Sequence, residues 1–201
     1  MVMECLKLNG ITKDQLAVYL RESCHVKFEA EIIAEIMEAV DGNDFEKLDW
    51  YQQFGDSFRI ITTNVHAYKK QLEFGFTEIS FDQYGWFSRP EFLDKEELIF
   101  GNAEHYMQHS AIEVARGINN VWTNALSYTF GCAGGGSPLS VYGAQFNSRK
   151  NALAAGLTQL KDLMMAKLND TDAGNYKQPV ILATLRDIEK AQVNMVQLSL
   201  F

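Results

Sequence analysis

The spacing of apolar residues changes along the chain, and this change limits the folds open to it. From about Glu29 to Asp41, apolar side chains recur every three or four positions between glutamates, which predicts an amphipathic helix. Thr12, with Gln15 at the capping-box position, predicts the start of a shorter helix before it. Asp44 is expected to begin a third helix. The first 56 residues are therefore predicted to be helical, with an acidic exposed surface.

The middle of the chain is rich in β-branched and aromatic residues. Residues 58–63 combine Phe, Ile and Thr side chains that favour strands, and residues 74–81 and 84–87 alternate with a period of two. Further on, a strand is predicted over residues 126–130 and a returning strand over residues 139–146. These segments are the predicted antiparallel strands.

The remaining apolar patterns favour helices. Residues 95–100 and 103–118 are predicted to be helical, Ser148 is the expected N-cap of a long helix, and a last helix is predicted over residues 179–195. The order of these elements predicts the α+β class. We expect a small antiparallel sheet covered by helices, with a helical N-terminus and two C-terminal helices.

The length of 201 residues favours one compact domain. We predict a single α+β domain over residues 1–196, with a helical, acidic part (1–56) and a mixed part (57–196). A tail of residues 197–201 follows it. No run of Pro, Gly and Ser marks a linker between two domains.

The chain carries 26 acidic and 18 basic residues, a formal net charge of −8. Nucleic-acid phosphates repel such a protein, which argues against non-specific DNA or RNA binding. The acidic excess lies in the first three-fifths of the chain. An acidic surface over residues 29–56 would suit a DNA mimic that inhibits a DNA-binding enzyme, or it simply keeps the protein in solution.

The cysteines and the apolar runs bear on the cellular compartment. Cys5, Cys24 and Cys132 form no paired motif, and no apolar run approaches the roughly 20 residues of a membrane span. The sequence therefore predicts a cytoplasmic protein with reduced thiols that does not bind membranes.

His105, His109 and Glu113 are the candidate metal ligands. In a helix over residues 103–118, their spacing of four places them on one face, where they could converge on a divalent metal. The motif lacks the glutamate that zinc peptidases carry beside the first histidine, and an ordinary polar stripe has the same spacing. No catalytic residue is predicted, and a divalent metal is the one cofactor considered.

The glycine-rich segment 131–137 invites comparison with phosphate-binding loops. It lacks the lysine of a nucleotide P-loop, and it leads into a predicted strand rather than a helix. We therefore expect it to form the flexible tip of a hairpin.

The last five residues form the most specific motif in the chain. They resemble the pentapeptide by which bacterial DNA polymerases, mismatch-repair proteins and replication regulators bind the β sliding clamp. The family pattern is Gln-Leu-Ser/Asp-Leu-Phe, and every position agrees. The resemblance implies a small polar subsite for the glutamine and an apolar pocket for the terminal Leu-Phe pair. The residues concerned are Gln197, Leu198, Ser199, Leu200 and Phe201.

This resemblance implies a partner, the sliding clamp, and says nothing about the rest of the fold. It favours a non-enzymatic accessory or regulatory protein of replication or repair that meets DNA only indirectly. A phage or plasmid origin would suit such a protein, which would use the host clamp. Two alternatives stay open: a metal-dependent DNA-processing enzyme tethered to the clamp, and the acidic DNA mimic. The tail itself could instead complete the protein's own core.

Overall fold

The computed structural model describes residues 8, 10–22 and 24–197, with side chains described as far as Met195. The chain divides into two compact units, Met1–Pro90 and Glu91–Phe201. The boundary expected at residue 56 does not coincide with this division, and one domain over residues 1–196 stays a prediction. Among the described residues, no helix combines the length and the apolar character needed to cross a membrane.

The first unit is mainly helical as far as Leu72, and its described residues up to position 56 form helices as predicted. Its core is built from buried aliphatic and aromatic side chains of all its helices, among them Leu16, Ile33, Leu48 and Ile61. The helices are α1 (Lys13–Glu22), α2 (Lys27–Asp41), α3 (Phe45–Gln52) and α4 (Phe58–Leu72).

Two predicted helix starts in this unit are confirmed by their hydrogen bonds. Thr12 Oγ1 accepts from the Gln15 backbone N–H at 3.3 Å, and Gln15 Oε1 accepts from the Thr12 N–H at 2.9 Å. This reciprocal capping box satisfies donors that the first helical turn leaves unpaired. Asp44 Oδ1 accepts from the Lys47 N–H at 3.0 Å and caps α3 with this single hydrogen bond.

The strand predicted over residues 58–63 is wrong, because these residues begin α4. Ile61 and Val65 lie one turn apart on this helix and are fully buried in the core of the unit. Burial of this helical stripe outweighs the strand preference of β-branched residues. The strands predicted over 74–81 and 84–87 are also wrong. Within these described ranges, a single bridge pairs Phe81 with Phe87.

Asn64 supplies hydrogen bonds to backbone groups that would otherwise have paired in a strand ladder. Its buried amide donates to the carbonyls of Phe54 and Gly85, both at 2.8 Å, and its Oδ1 accepts from the Phe87 N–H at 3.0 Å. Backbone groups removed from water need such partners. One side chain of α4 therefore fixes the turn that contains Gly85.

We expect Asn64→Ala to lower the free energy of unfolding by about 2 to 3 kcal/mol, since buried backbone groups lose their partners. Urea unfolding followed by circular dichroism measures this loss. Gln83→Ala removes an exposed amide from the same turn and should change stability by less than about 0.5 kcal/mol. Equal effects of the two substitutions would contradict the role given to Asn64.

The second unit contains a small antiparallel sheet covered by helices, so the predicted α+β class is confirmed, although of the predicted strands only residues 126–130 overlap a strand of this sheet. The strands β1 (Leu93–Gly101), β2 (His109–Arg116), β3 (Trp122–Thr129) and β4 (Gly134–Gly136) pair in this order, each antiparallel to its neighbour. Ser148 caps the long helix as predicted, accepting from the Asn151 N–H at 3.2 Å. The two helices are α5 (Arg149–Ala166) and α6 (Gln178–Gln197).

The helices predicted over residues 95–100 and 103–118 are wrong, because these segments contain β1 and β2. In β2 both faces are largely buried, so polar and apolar residues do not alternate. Without this alternation, the apolar residues of the strand happen to recur at helical intervals. The charged residues of β1, which resemble an exposed helix face, lie on an edge strand, where charges discourage pairing with other chains.

The hairpin differs from its prediction in its second strand. The glycine segment, expected to be a flexible tip, contains β4, whereas residues 139–146 form no strand beyond a bridge between Trp122 and Phe146. A Cβ atom at Gly134 would lie 2.4 Å from the Tyr128 carbonyl oxygen, and one at Gly136 would lie 2.6 Å from that of Leu126. Glycine therefore lets the two backbones approach closely here.

Gly134→Ala should destabilise the protein by about 1 to 3 kcal/mol, because the new methyl group meets backbone that cannot move aside. Gly135→Ala is the matched control. Its Cβ would meet the end of the Tyr128 side chain, with the hydroxyl at 3.0 Å, rather than backbone. Thermal unfolding of both variants measures the difference, and a Gly135→Ala loss as large as that of Gly134→Ala would contradict this explanation.

Candidate functional site

The helix α6 carries the start of the clamp-like pentapeptide. Gln197 is the last residue of this helix, and residues 198–201 lie outside the described residues. One side of α6 packs on the sheet and on α5, in the core of the second unit. The residues of α6 in this core are Ile181, Leu185, Ile188, Ala191 and Met195. The helix is thus anchored up to two positions before the motif begins.

Asp187 fixes α6 against the end of β1. Its Oδ2 accepts from the Gly101 backbone N–H at 3.0 Å, and its Oδ1 pairs with Lys190 Nζ at 3.0 Å. Burial acts to raise the pKa of Asp187, but the hydrogen bond from Gly101 and the Lys190 ammonium outweigh it. The pKa of this carboxyl therefore lies below its ordinary value, and the carboxylate stabilises the docked helix.

The opposite side of α6 is exposed and partly apolar. Leu182 is 49% exposed and Val193 is 55% exposed, with exposed Arg186 and Glu189 between them. The intervals of four, three and four residues place these side chains on one face. Within the described residues, α6 therefore presents an apolar side chain about one helical turn before Gln197.

The structure separates the candidate metal ligands. His105 precedes a short 3-10 turn, His109 begins β2, and Glu113 lies four residues along that strand. Four strand residues span about 13 Å, which separates the backbones of His109 and Glu113. The predicted helix that would have placed the three ligands on one face is therefore wrong. Glu113 pairs with Lys95 at 3.2 Å. In the described part of the chain, no group of three His, Cys, Asp or Glu residues could hold a metal ion.

The sheet brings together His109 and Cys132, two side chains that are distant in the sequence. His109 and Cys132 line one cavity of about 370 Å³ beside β4. The His109 Nδ1 lies 3.1 Å from the His105 carbonyl oxygen. Because a carbonyl only accepts, Nδ1 carries the proton, and the lone pair of a neutral ring lies on Nε2. No local pattern indicates this proximity, since it depends on the pairing of β2, β3 and β4.

Part of the acidic charge over residues 29–56 is paired with lysines inside the first unit. Glu35 accepts from Lys69 Nζ at 2.6 and 2.7 Å and from the Tyr51 hydroxyl at 2.6 Å. Burial acts to raise the pKa of Glu35, but these donors outweigh it and the pKa is lowered. Asp41 pairs with Lys13 at 2.5 Å. A DNA mimic needs unpaired surface charge, and these pairs reduce it.

Comparisons with known proteins give no relative from which a role could be transferred. No family model, no curated protein and no solved structure matches the chain.

Asp187→Ala should lower the free energy of unfolding by about 1 kcal/mol at pH 7, since Gly101 and Lys190 lose an anionic partner that is partly screened by solvent. The pKa of Asp187 is lowered by folding, so its contribution is complete above the unfolded pKa of about 4. It is lost as the pH falls through the folded pKa.

Urea unfolding of both proteins between pH 7 and pH 3 tests this dependence. The stability difference should be constant down to about pH 5 and should shrink below about pH 4. Glu189→Ala on the exposed side of the same helix is the control. A stability difference between the intact chain and Asp187→Ala that widens on acidification would contradict the lowered pKa of Asp187.

Proposed function

We propose that this protein is a non-enzymatic accessory or regulatory factor of DNA replication or repair that binds the bacterial β sliding clamp through residues 197–201. The observation that carries the proposal is the pentapeptide, in which all five positions agree with the clamp-binding pattern. Its attachment to α6, a helix anchored in the second unit, supports a role in docking.

The energetics of the pentapeptide are sufficient for a tether. Burial of Leu198, Leu200 and Phe201 contributes about 1.5 to 3 kcal/mol for each side chain, less the cost of ordering the peptide. The three side chains together contribute about 4 to 9 kcal/mol before this cost. Micromolar affinity corresponds to about −8 kcal/mol, which lies near the upper end of that total. The peptide alone would therefore bind weakly and reversibly, as suits a regulator.

The charge of the chain favours binding to a protein rather than to DNA. A net charge of −8 opposes direct contact with the phosphate backbone, so the clamp would bring the protein to DNA. The clamp acts on chromosomal or plasmid DNA, and the proposal therefore includes a cytoplasmic location and suits a phage or plasmid gene. A clamp-tethered metalloenzyme is not favoured, because His105, His109 and Glu113 do not share a helix face.

Deletion of residues 197–201 should abolish binding to a purified bacterial β sliding clamp, and Phe201→Ala should weaken it by at least about tenfold through loss of its apolar burial. Surface plasmon resonance with immobilised clamp measures both effects. The thermal midpoint of the deletion variant should stay close to that of the intact chain.

Ser199→Asp is the matched control, since the clamp-binding pattern accepts either residue at this position. It should bind like the intact chain. Undiminished clamp binding after the deletion would overturn the proposal. A large loss of thermal stability, with no clamp binding by the intact chain, would show that the tail belongs to the core instead.

A further inference from the structure

The exposed side of α6 continues toward the pentapeptide without a linker. Val193 is 55% exposed and lies four positions, or about 6 Å along the helix axis, before Gln197. Ala191 and Met195, on the other side of the same turns, pack on the core of the second unit. The helix end is therefore held by the globular unit, and Val193 is held with it.

We propose that Val193 on the exposed side of α6 forms a second contact with the sliding clamp, on the clamp surface that adjoins the pentapeptide pocket. This inference rests on the proposed function, because it takes the clamp as the occupant of the motif.

The length of chain between the anchored helix and the motif limits where the clamp can lie. The motif starts at the last helical residue, and the four residues after Gln197 span at most about 14 Å when extended. A clamp pocket that holds Leu200 and Phe201 must therefore lie close to the end of α6. Among the side chains that the structure describes, Val193 is the exposed large apolar one in that final part of the helix, and a clamp surface so close would cover it.

The two contacts differ in their energetic cost. Ordering a free peptide costs conformational entropy, whereas Val193 is already fixed by the packing of α6. A fixed second contact also raises the effective concentration of the motif at its pocket. The intact chain should therefore bind the clamp about tenfold more tightly than a free peptide of residues 197–201.

Val193→Glu in the intact chain tests the contact, with Leu182→Glu as the matched control. Leu182 is 49% exposed on the same face, but it lies about 16 Å farther from the motif. Each variant adds the same charge to α6, so a long-range electrostatic effect would appear in both. Val193→Glu should weaken binding to purified clamp about tenfold, and Leu182→Glu should leave it within about twofold. Circular dichroism verifies that both variants fold.

An insertion of Gly-Ser-Gly-Ser between Val196 and Gln197 gives a second test, since it separates the motif from the anchored helix. The lengthened chain should bind no more tightly than the free peptide. If Val193→Glu and the insertion both bind like the intact chain while Phe201→Ala does not, the second contact is overturned and the proposed function stands. If the intact chain does not bind the clamp, both fail.

Discussion

Burial of one apolar face, shared by the sheet and its two covering helices, determines the structure of the second unit. Ile112 and Val114 of β2 and Leu126 of β3 supply the sheet side of this core, and fully buried positions of α5 and α6 supply the other. Because α6 packs along this face as far as Met195, its C-terminal end is held in position against the second unit. The hydrogen bond from Gly101 to Asp187 adds a polar contact that sets how far along the sheet the helix lies.

In the first unit, the described segment after α4 makes little strand pairing of its own, so its backbone groups need other hydrogen-bond partners. Two buried amides of α4 satisfy its backbone instead: Asn64 holds the turn at Gly85, and Gln71 donates to the Glu78 carbonyl at 2.6 Å. A buried amide costs free energy unless its hydrogen bonds are made, and these are made. The polar residues of α4 therefore serve the segment packed beside it.

Capping signals predicted three helix starts correctly, whereas apolar patterns misassigned several helices and strands, for identifiable reasons. Helix caps act within four residues, so Thr12, Asp44 and Ser148 revealed their helices from sequence alone. Strand identity depends on distant neighbours. β2 is buried on both faces and loses its period of two, and β4 requires glycine only because the Tyr128 and Leu126 carbonyls of its partner strand lie close to it. At residues 58–63, tertiary burial of Ile61 reverses the local preference for a strand.

The candidate clamp-binding site also combines a local feature, visible in the sequence, with a non-local one that depends on the fold. The pentapeptide is a contiguous motif and needs no fold to be recognised, whereas its attachment to an anchored helix depends on the packing of Met195 and Ala191. This difference changes what the motif implies. A pentapeptide on a long linker would leave the clamp surface around its pocket free. If the pentapeptide occupies that pocket from the end of α6, the second unit also covers the surface beside it and excludes other proteins from both.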